Sequence, residues 1–375
     1  MSALFWFLTM AASAWVAYLT IIASRRLNLG ADEVGGVQKF HTHWVPRLGG
    51  IPIFVSLVSS LLGVSWVLGT EVSGCVAFVV CILPAFGIGL VEDVTGRGGV
   101  WLRLAFTMVS AALGWWLLGG KLVRLDLPMV DGWLVAYPWF ALGLTLVAVG
   151  GVAHAINIID GYNGLSAFFT VAAFAALGVV AQLVGDSLIA RISLLAAASV
   201  AGFMLWNFPF GRIFMGDSGA YLTGFALAEL SVLLVTRNPE VSAWFPMLLL
   251  IYPVWETLFS IYRKAVLRGI SPSEPDGLHF HMLVYKRLVK LQVQNPSDEQ
   301  KVVRNSATSP YLWVLTLMTA IPALIFWNQL GWLLVFCGVF VAFYLEIYWR
   351  IVRFRAPKFL VLRLARQGSR TTAEI

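Results

Sequence analysis

The sequence predicts an all-α polytopic integral membrane protein of about 11 transmembrane helices, with the N-terminus outside and the C-terminus cytoplasmic. Three observations lead there. Of the 375 residues 59% are hydrophobic and only 12% charged, whereas a soluble domain is nearer half apolar and a quarter charged. The apolar residues gather into runs of the ~20 residues that a helix needs to cross a bilayer. The 16 Trp and 25 Phe suit the aromatic belts at the two membrane–water interfaces.

Taken in order, the runs place spans at 4–23, 48–68, 74–91, 101–119, 138–156, 165–184, 188–206, 220–236, 243–262, 311–328 and 331–349. No basic segment precedes the first run, so it reads as a retained span rather than a cleaved signal peptide. No repeat or low-complexity linker interrupts the chain. Residues 1–355 therefore read as one transmembrane domain containing a cytoplasmic loop at 263–309, and 356–375 as a basic cytoplasmic tail. Cys75, Cys81 and Cys337 lie scattered in apolar runs, which gives neither a disulfide framework nor a metal spacing.

Charge sets the orientation. The net charge is +7, but the basic residues flank apolar runs, where topology and anionic headgroups account for them. Membrane lipids are expected partners and nucleic acid is not. Of the 26 Lys and Arg, only Lys121, Arg124, Arg191 and Arg237 fall outside one alternating set of connecting segments. Positive residues stay inside, so that set is cytoplasmic, and it includes 24–47, 92–100, 157–164, 207–219 and 263–309.

Every acidic motif then faces one side. Carboxylates near a membrane core are costly, and are functional candidates by default. Glu92, Asp93, Asp160 and Asp217 lie at the mouths of apolar runs in GLVEDVTG, AINIIDGYNG and FMGDSGAY. Such acids beside Gly-rich turns suggest a single site for a divalent cation and a diphosphate. Asp217 sits between Gly216 and Ser218-Gly219, where backbone can approach a phosphate; it is a candidate Mg²⁺ ligand, although an acid there also caps a helix. His154, Asn157 and Asp160 share a helical face before Gly161 and Gly164 break the helix. Paired Glu92 and Asp93 repel, which favours a bound cation or a raised pKa, and Arg103 follows within reach of a phosphate. His279 and His281 point the same way in extended backbone, a weak signal for zinc without further ligands. His41 and His43 read as a structural pair. Arg47, in Pro46-Arg47-Leu48-Gly49-Gly50, is either a substrate contact or a positive-inside anchor.

From Lys39 to Arg287, PRLGG, the paired acids, N-x-x-D-G-x-N-G-L, FMGDSG and H-x-H occur in order. On these motifs the chain resembles the polyprenyl-phosphate N-acetylhexosamine-1-phosphate transferases of glycosyltransferase family 4, most closely the undecaprenyl-phosphate GlcNAc-1-phosphate branch. The resemblance implies that undecaprenyl phosphate attacks the β-phosphorus of a UDP-N-acetylhexosamine and UMP leaves. It implies a Mg²⁺ requirement, with Mn²⁺ as a substitute, and Asp217 as the metal ligand. Glu92 and Asp93 would position or deprotonate the lipid phosphate, with Asp160 supporting catalysis. Asn157, Asp160 and Asn163 would shape the nucleotide and metal pocket, and His279 and His281 would lie near the nucleotide-sugar site; Arg47 and Arg103, read from the residues themselves, are the further candidate substrate contacts. The site would face the cytoplasm from a bacterial inner membrane, and a homodimer is left open.

The chain departs from the family at four places. Glu92 stands where Asp is usual, His154 where Asn is frequent, Gly277 for an Arg, and Met282 for the last His of the histidine motif. The H-x-H form favours the branch that initiates O-antigen, common-antigen or similar polysaccharides. The rival reading is a transporter with acids on an ion or substrate path. Transporter sites sit near the midplane between inverted repeats; this chain has no repeat and its acids gather at one face.

Overall fold

The computed structural model describes residues 3–27, 29–30, 45–271, 274, 277–291 and 297–364. His41 and His43, Lys39 at the start of the motif stretch and the tail beyond 364 lie outside the described residues. The helices are α1 (Ala3–Leu27), α2 (Gly50–Leu68), α3 (Val72–Thr95), α4 (Val100–Leu117), α5 (Pro128–Ala136), α6 (Pro138–Ile159), α7 (Leu165–Leu183), α8 (Ser187–Asn207), α9 (Gly216–Arg237), α10 (Trp244–Leu249), α11 (Ile251–Tyr262), α12 (Phe280–Leu283), α13 (Asp298–Ile325) and α14 (Leu330–Val352). Ten of them, α1–α4, α6–α9, α13 and α14, are long and apolar enough to cross a membrane. The protein is an all-α, multi-pass membrane protein.

The expected span at 243–262 is broken. α10 ends and α11 begins at Leu250, which leaves helical geometry with φ −98° and ψ 7°. Pro253 explains the break: it has no N–H for the Leu249 carbonyl, and its ring crowds that turn. The loop expected at 263–309 is shorter at both ends. Arg263–Leu267 continues α11 as a π-helical turn. α13 starts at Asp298 because Ser297 accepts from the Gln300 N–H while the Gln300 side chain accepts from the Ser297 N–H, a reciprocal cap that fixes a helix start. Within the loop, β1 (Val289–Leu291) pairs in parallel with β2 (Leu362–Leu364), with Val289 opposite Leu362. The first residues after 356 are thereby tied back to the loop.

α9 is the axis of the bundle. Almost all of it is buried, and α2, α3, α4, α6, α7 and α8 pack around it. Helices in lipid associate by close packing, which small residues permit. Gly224 lies against α6 so tightly that an added Cβ would sit 2.6 Å from the Ala153 Cα. At the motif end, a Cβ on Gly89 of α3 would sit 2.5 Å from the Ser218 backbone nitrogen. This packing carries the N-terminus of the most buried helix to the meeting point of the sequence motifs.

Candidate active site

A helix N-terminus has N–H groups with no partner in its own helix. In α9 they are met by Asp93, delivered from α3. Asp93 Oδ1 accepts the Asp217 N–H at 2.8 Å, and Oδ2 accepts the Ser218 N–H at 2.9 Å and the Ser218 hydroxyl at 2.6 Å. Asp93 is thus a cap lent by one helix to another. Gly216 makes the approach feasible: its φ is +72°, and a Cβ there would lie 2.1 Å from the Arg47 carbonyl and 2.7 Å from Asp93 Oδ2. The PRLGG segment is clamped to the same turn. Phe214 donates its N–H to the Pro46 carbonyl at 2.9 Å, and Gly49 donates to the Phe214 carbonyl at 2.9 Å.

The Asp217 side chain projects into a ring of donors. Arg47 Nη2 lies 3.1 Å and Asn157 Nδ2 3.0 Å from Oδ1, and Arg103 Nη1 lies 3.0 Å from Oδ2. Arg47 is therefore an Asp217 partner as well as a flank of its span. Arg103 also reaches Glu92 Oε1 at 3.6 Å. Glu92 Oε2 is buried without a partner among the described residues. A Cβ on Gly98 would strike it at 1.7 Å, so glycine leaves the room this carboxylate occupies. His154, on the Asn157 face of α6, packs its ring 4.9 Å from that of Tyr221.

Asp160 follows the end of α6. The Ser166 hydroxyl donates to it, while burial pushes its carboxyl up to about 6. Asn163 does something different. Its Nδ2 donates to Ser306 Oγ at 3.0 Å and to the Pro209 carbonyl at 3.4 Å; its N–H donates to Asn305 Oδ1 at 2.8 Å, and its carbonyl accepts from Ser309 at 2.6 Å. It ties the 160–164 turn to α13. Asn163→Ala is expected to lower stability by about 1–3 kcal/mol, the cost of leaving buried polar groups unmatched, with substrate KM nearly unchanged. Thermal melting beside steady-state kinetics checks this, and a KM effect without a melting shift would give Asn163 a substrate role instead.

The H-x-H segment opens α12. His279 Nδ1 lies 2.9 Å from Glu256 Oε1. The rings of His279 and His281 stack in parallel, 5.4 Å apart. Burial, reinforced by the neighbouring His279, pushes the His281 imidazole down to about 3. Both His281 ring nitrogens are buried without a partner among the described residues. A Cβ on Gly161 would sit 3.3 Å from His281 Nε2, and the Tyr162 ring lies 5.6 Å away. The loop histidines thus reach the turn that begins at Asp160.

Two acids escaped the sequence reading. Glu256 lies in α11 and Glu229 in α9, and both are fully buried. Both Glu229 oxygens lack partners among the described residues, in a notch where a Cβ on Gly114 or Gly120 would sit 2.3 or 2.1 Å from Oε1. A lone acid inside an apolar run was the available signal for each.

Among the described residues no three His, Cys, Asp or Glu side chains gather into a metal cage. What the site offers is hard oxygen. A carboxylate has about four lone-pair positions, and the three donors on Asp217 leave one of them on Oδ2. With the unpartnered Glu92 Oε2, this donor set suits a hard divalent cation whose remaining ligands are phosphate oxygens and water.

Comparison with known proteins identifies the family. A family model described as glycosyl transferase family 4 matches residues 75–235, the stretch from α3 to α9 that holds all four acids. A probable undecaprenyl-phosphate N-acetylglucosaminyl 1-phosphate transferase of Bacillus subtilis (strain 168) is 30% identical over 280 residues, covering 71% of this chain and 73% of the relative. A decaprenyl-phosphate N-acetylglucosaminephosphotransferase of Mycolicibacterium smegmatis is 28% identical, covering 73% and 72%. An undecaprenyl-phosphate alpha-N-acetylglucosaminyl 1-phosphate transferase of Yersinia pestis is 24% identical, covering 72% and 74%. With the acid-bearing helices matched and this overlap with its relatives, the chain belongs to glycosyl transferase family 4.

Proposed function

We propose that the protein transfers N-acetylhexosamine 1-phosphate from a UDP-linked donor to undecaprenyl phosphate, giving a lipid diphosphate sugar and UMP. The observation that carries this reading is the Asp217 cluster: one carboxylate at the N-terminus of the most buried helix, faced by Arg47, Arg103 and Asn157 from three other segments. Phosphoryl transfer needs positioning and charge neutralisation more than covalent help. An oxygen of the lipid phosphate attacks the β-phosphorus, the bond from that phosphorus to the bridging oxygen breaks, and UMP leaves with that oxygen. The two guanidiniums neutralise phosphate oxygens. Asp217, with Glu92 close by, would hold Mg²⁺, or Mn²⁺ in its place, which supplies Lewis-acid polarisation of the diphosphate.

The paired acids divide the work. Both Asp93 oxygens are engaged on the α9 backbone and Ser218, which suits Asp93 to holding the site in shape. Glu92 has an oxygen with no partner among the described residues and suits contact with the lipid phosphate or the cation. That phosphate is already anionic near neutral pH, so no strong base is needed. The charge bias of the connecting segments supports a cytoplasmic site in a bacterial inner membrane, with α10 and α11 together as an eleventh, broken crossing. Purified protein is expected to release UMP from a panel of UDP-amino sugars only when polyprenyl phosphate and Mg²⁺ are both present. No release across the panel would sink this reading, and solute uptake into proteoliposomes without lipid-linked product would favour a transporter.

A further inference from the structure

Glu256 is an unexpected residue to find inside α11. Its neighbours in the run Ile251–Tyr262 are apolar or aromatic for most of the helix, and it is 0% exposed. A buried carboxylate costs several kcal/mol unless its oxygens are satisfied. Here three groups from two other elements satisfy it. His279 Nδ1 lies 2.9 Å and the Phe280 N–H 3.2 Å from Oε1, both at the start of α12, and the Tyr344 hydroxyl of α14 donates to Oε2 at 2.6 Å. A hydrogen-bonded contact that merely pins the loop is the simplest account of these contacts. It leaves two features unused. No partner meets His279 Nε2 among the described residues, and the stacked His281 places the pair against Gly161, the residue after Asp160.

A histidine held at one ring nitrogen by a carboxylate has the role of its other nitrogen set by that bond. We propose that Glu256 is the positioning residue of the H-x-H segment: it grips His279 through Nδ1 so that Nε2 is presented to the donor diphosphate, and Tyr344 and the Phe280 N–H fix Glu256 in turn. The proposal rests on the transferase reading. With Nδ1–H held by Glu256, the proton that Nε2 carries is donated to a diphosphate oxygen. That bond strengthens as negative charge develops on the departing UMP. Glu256 therefore acts on the donor and on turnover, and leaves the lipid acceptor alone.

Glu256→Gln keeps the shape and removes the charge. It is expected to lower kcat/KM for the UDP-sugar by roughly 10–100-fold, the usual effect of losing a carboxylate behind a working histidine, with acceptor KM unchanged. Tyr344→Phe, a milder variant that spares the Glu256–His279 contact, is expected to lower the same parameter by roughly two- to tenfold. The double variant Glu256→Gln/His279→Gln should be no worse than His279→Gln alone, because one residue acts through the other. Additive losses, an equal rise in acceptor KM, or wild-type donor kinetics in Glu256→Gln would each overturn the proposal. A readout independent of turnover is the ¹⁵N spectrum of histidine-labelled protein, which has five histidines. The Nδ1 signal that disappears in His279→Gln should shift in Glu256→Gln; an unmoved signal refutes the grip. If the wild type turns over no UDP-sugar, the transferase reading fails, while this spectrum still decides the dyad.

Discussion

Asp217→Asn is expected to abolish UMP release, by on the order of 10³-fold or more, while the protein stays folded. Removing a single preorganised group that stabilises the reacting phosphates already costs about 10²–10³-fold, and this substitution removes more than one contribution. Asparagine keeps one carbonyl acceptor, which Asn157 or Arg47 can still use. It turns an amide NH₂ toward the third donor, where two donors oppose each other. It deletes the negative charge between Arg47 and Arg103, so the two guanidiniums repel. It also weakens the oxygen set for a divalent cation. Stability should change little by comparison. The Arg47 side chain is 36% exposed, so water screens much of what it loses, and Arg103 retains Glu92 at 3.6 Å. The Asp217 and Ser218 N–H groups keep their Asp93 cap, because those bonds are to backbone and not to the Asp217 side chain. Steady-state UMP release beside a melting curve checks both halves. Residual activity above a tenth of wild type would remove Asp217 from the centre of the site.

That separation between what Asp217 does and what Asp93 does marks the limit of the sequence. The gathering of the acids was legible, because span spacing and charge bias put each motif at the same end of the bundle. The PRLGG and FMGDSG segments were legible as motifs. Their backbone clamp was not, since a hydrogen bond such as Phe214 N–H to the Pro46 carbonyl joins residues whose pairing leaves no periodic trace. The pairing of Asp93 with Glu92 was legible, but its capping of α9 was not, because a cap supplied by another helix has no local signature. Asn163 looked like a pocket residue because its partners Asn305, Ser306 and Ser309 sit in a segment taken for loop. The break at Leu250 had a visible cause in Pro253, yet hydropathy averaged over 243–262 conceals it. Glu256 and Glu229 were hidden by the same averaging: one acid hardly lowers the mean of an apolar run, although its burial is what makes it informative.

Gly216→Ala should be nearly as damaging as loss of the Asp217 carboxylate, by a different route. A left-handed backbone costs an alanine roughly 1–2 kcal/mol. The new methyl would also lie 2.1 Å from the Arg47 carbonyl and 2.7 Å from Asp93 Oδ2. Neither obstacle yields easily: Phe214 and Gly49 hold the Arg47 segment through its backbone, and Asp93 is fixed by three hydrogen bonds to α9. If the turn moves aside, those bonds lengthen, and bonds to a charged acceptor contribute about 1.5–3 kcal/mol each. The expected loss is about 4 kcal/mol or more, roughly a 5 °C fall in melting temperature for a chain of this size. Activity should fall with it, since Asp93, Asp217 and Arg47 all take their positions from this turn. Gly151→Ala is the matched control. Gly151 lies in α6, an added Cβ there meets nothing within 4 Å, and alanine is the better helix former by ~1 kcal/mol. It should be neutral or slightly stabilising. Were Gly216→Ala to melt and turn over like Gly151→Ala, the N-terminus of α9 would not be the rigid element that sets the site, and the division of labour between Asp93 and Asp217 would fall with it.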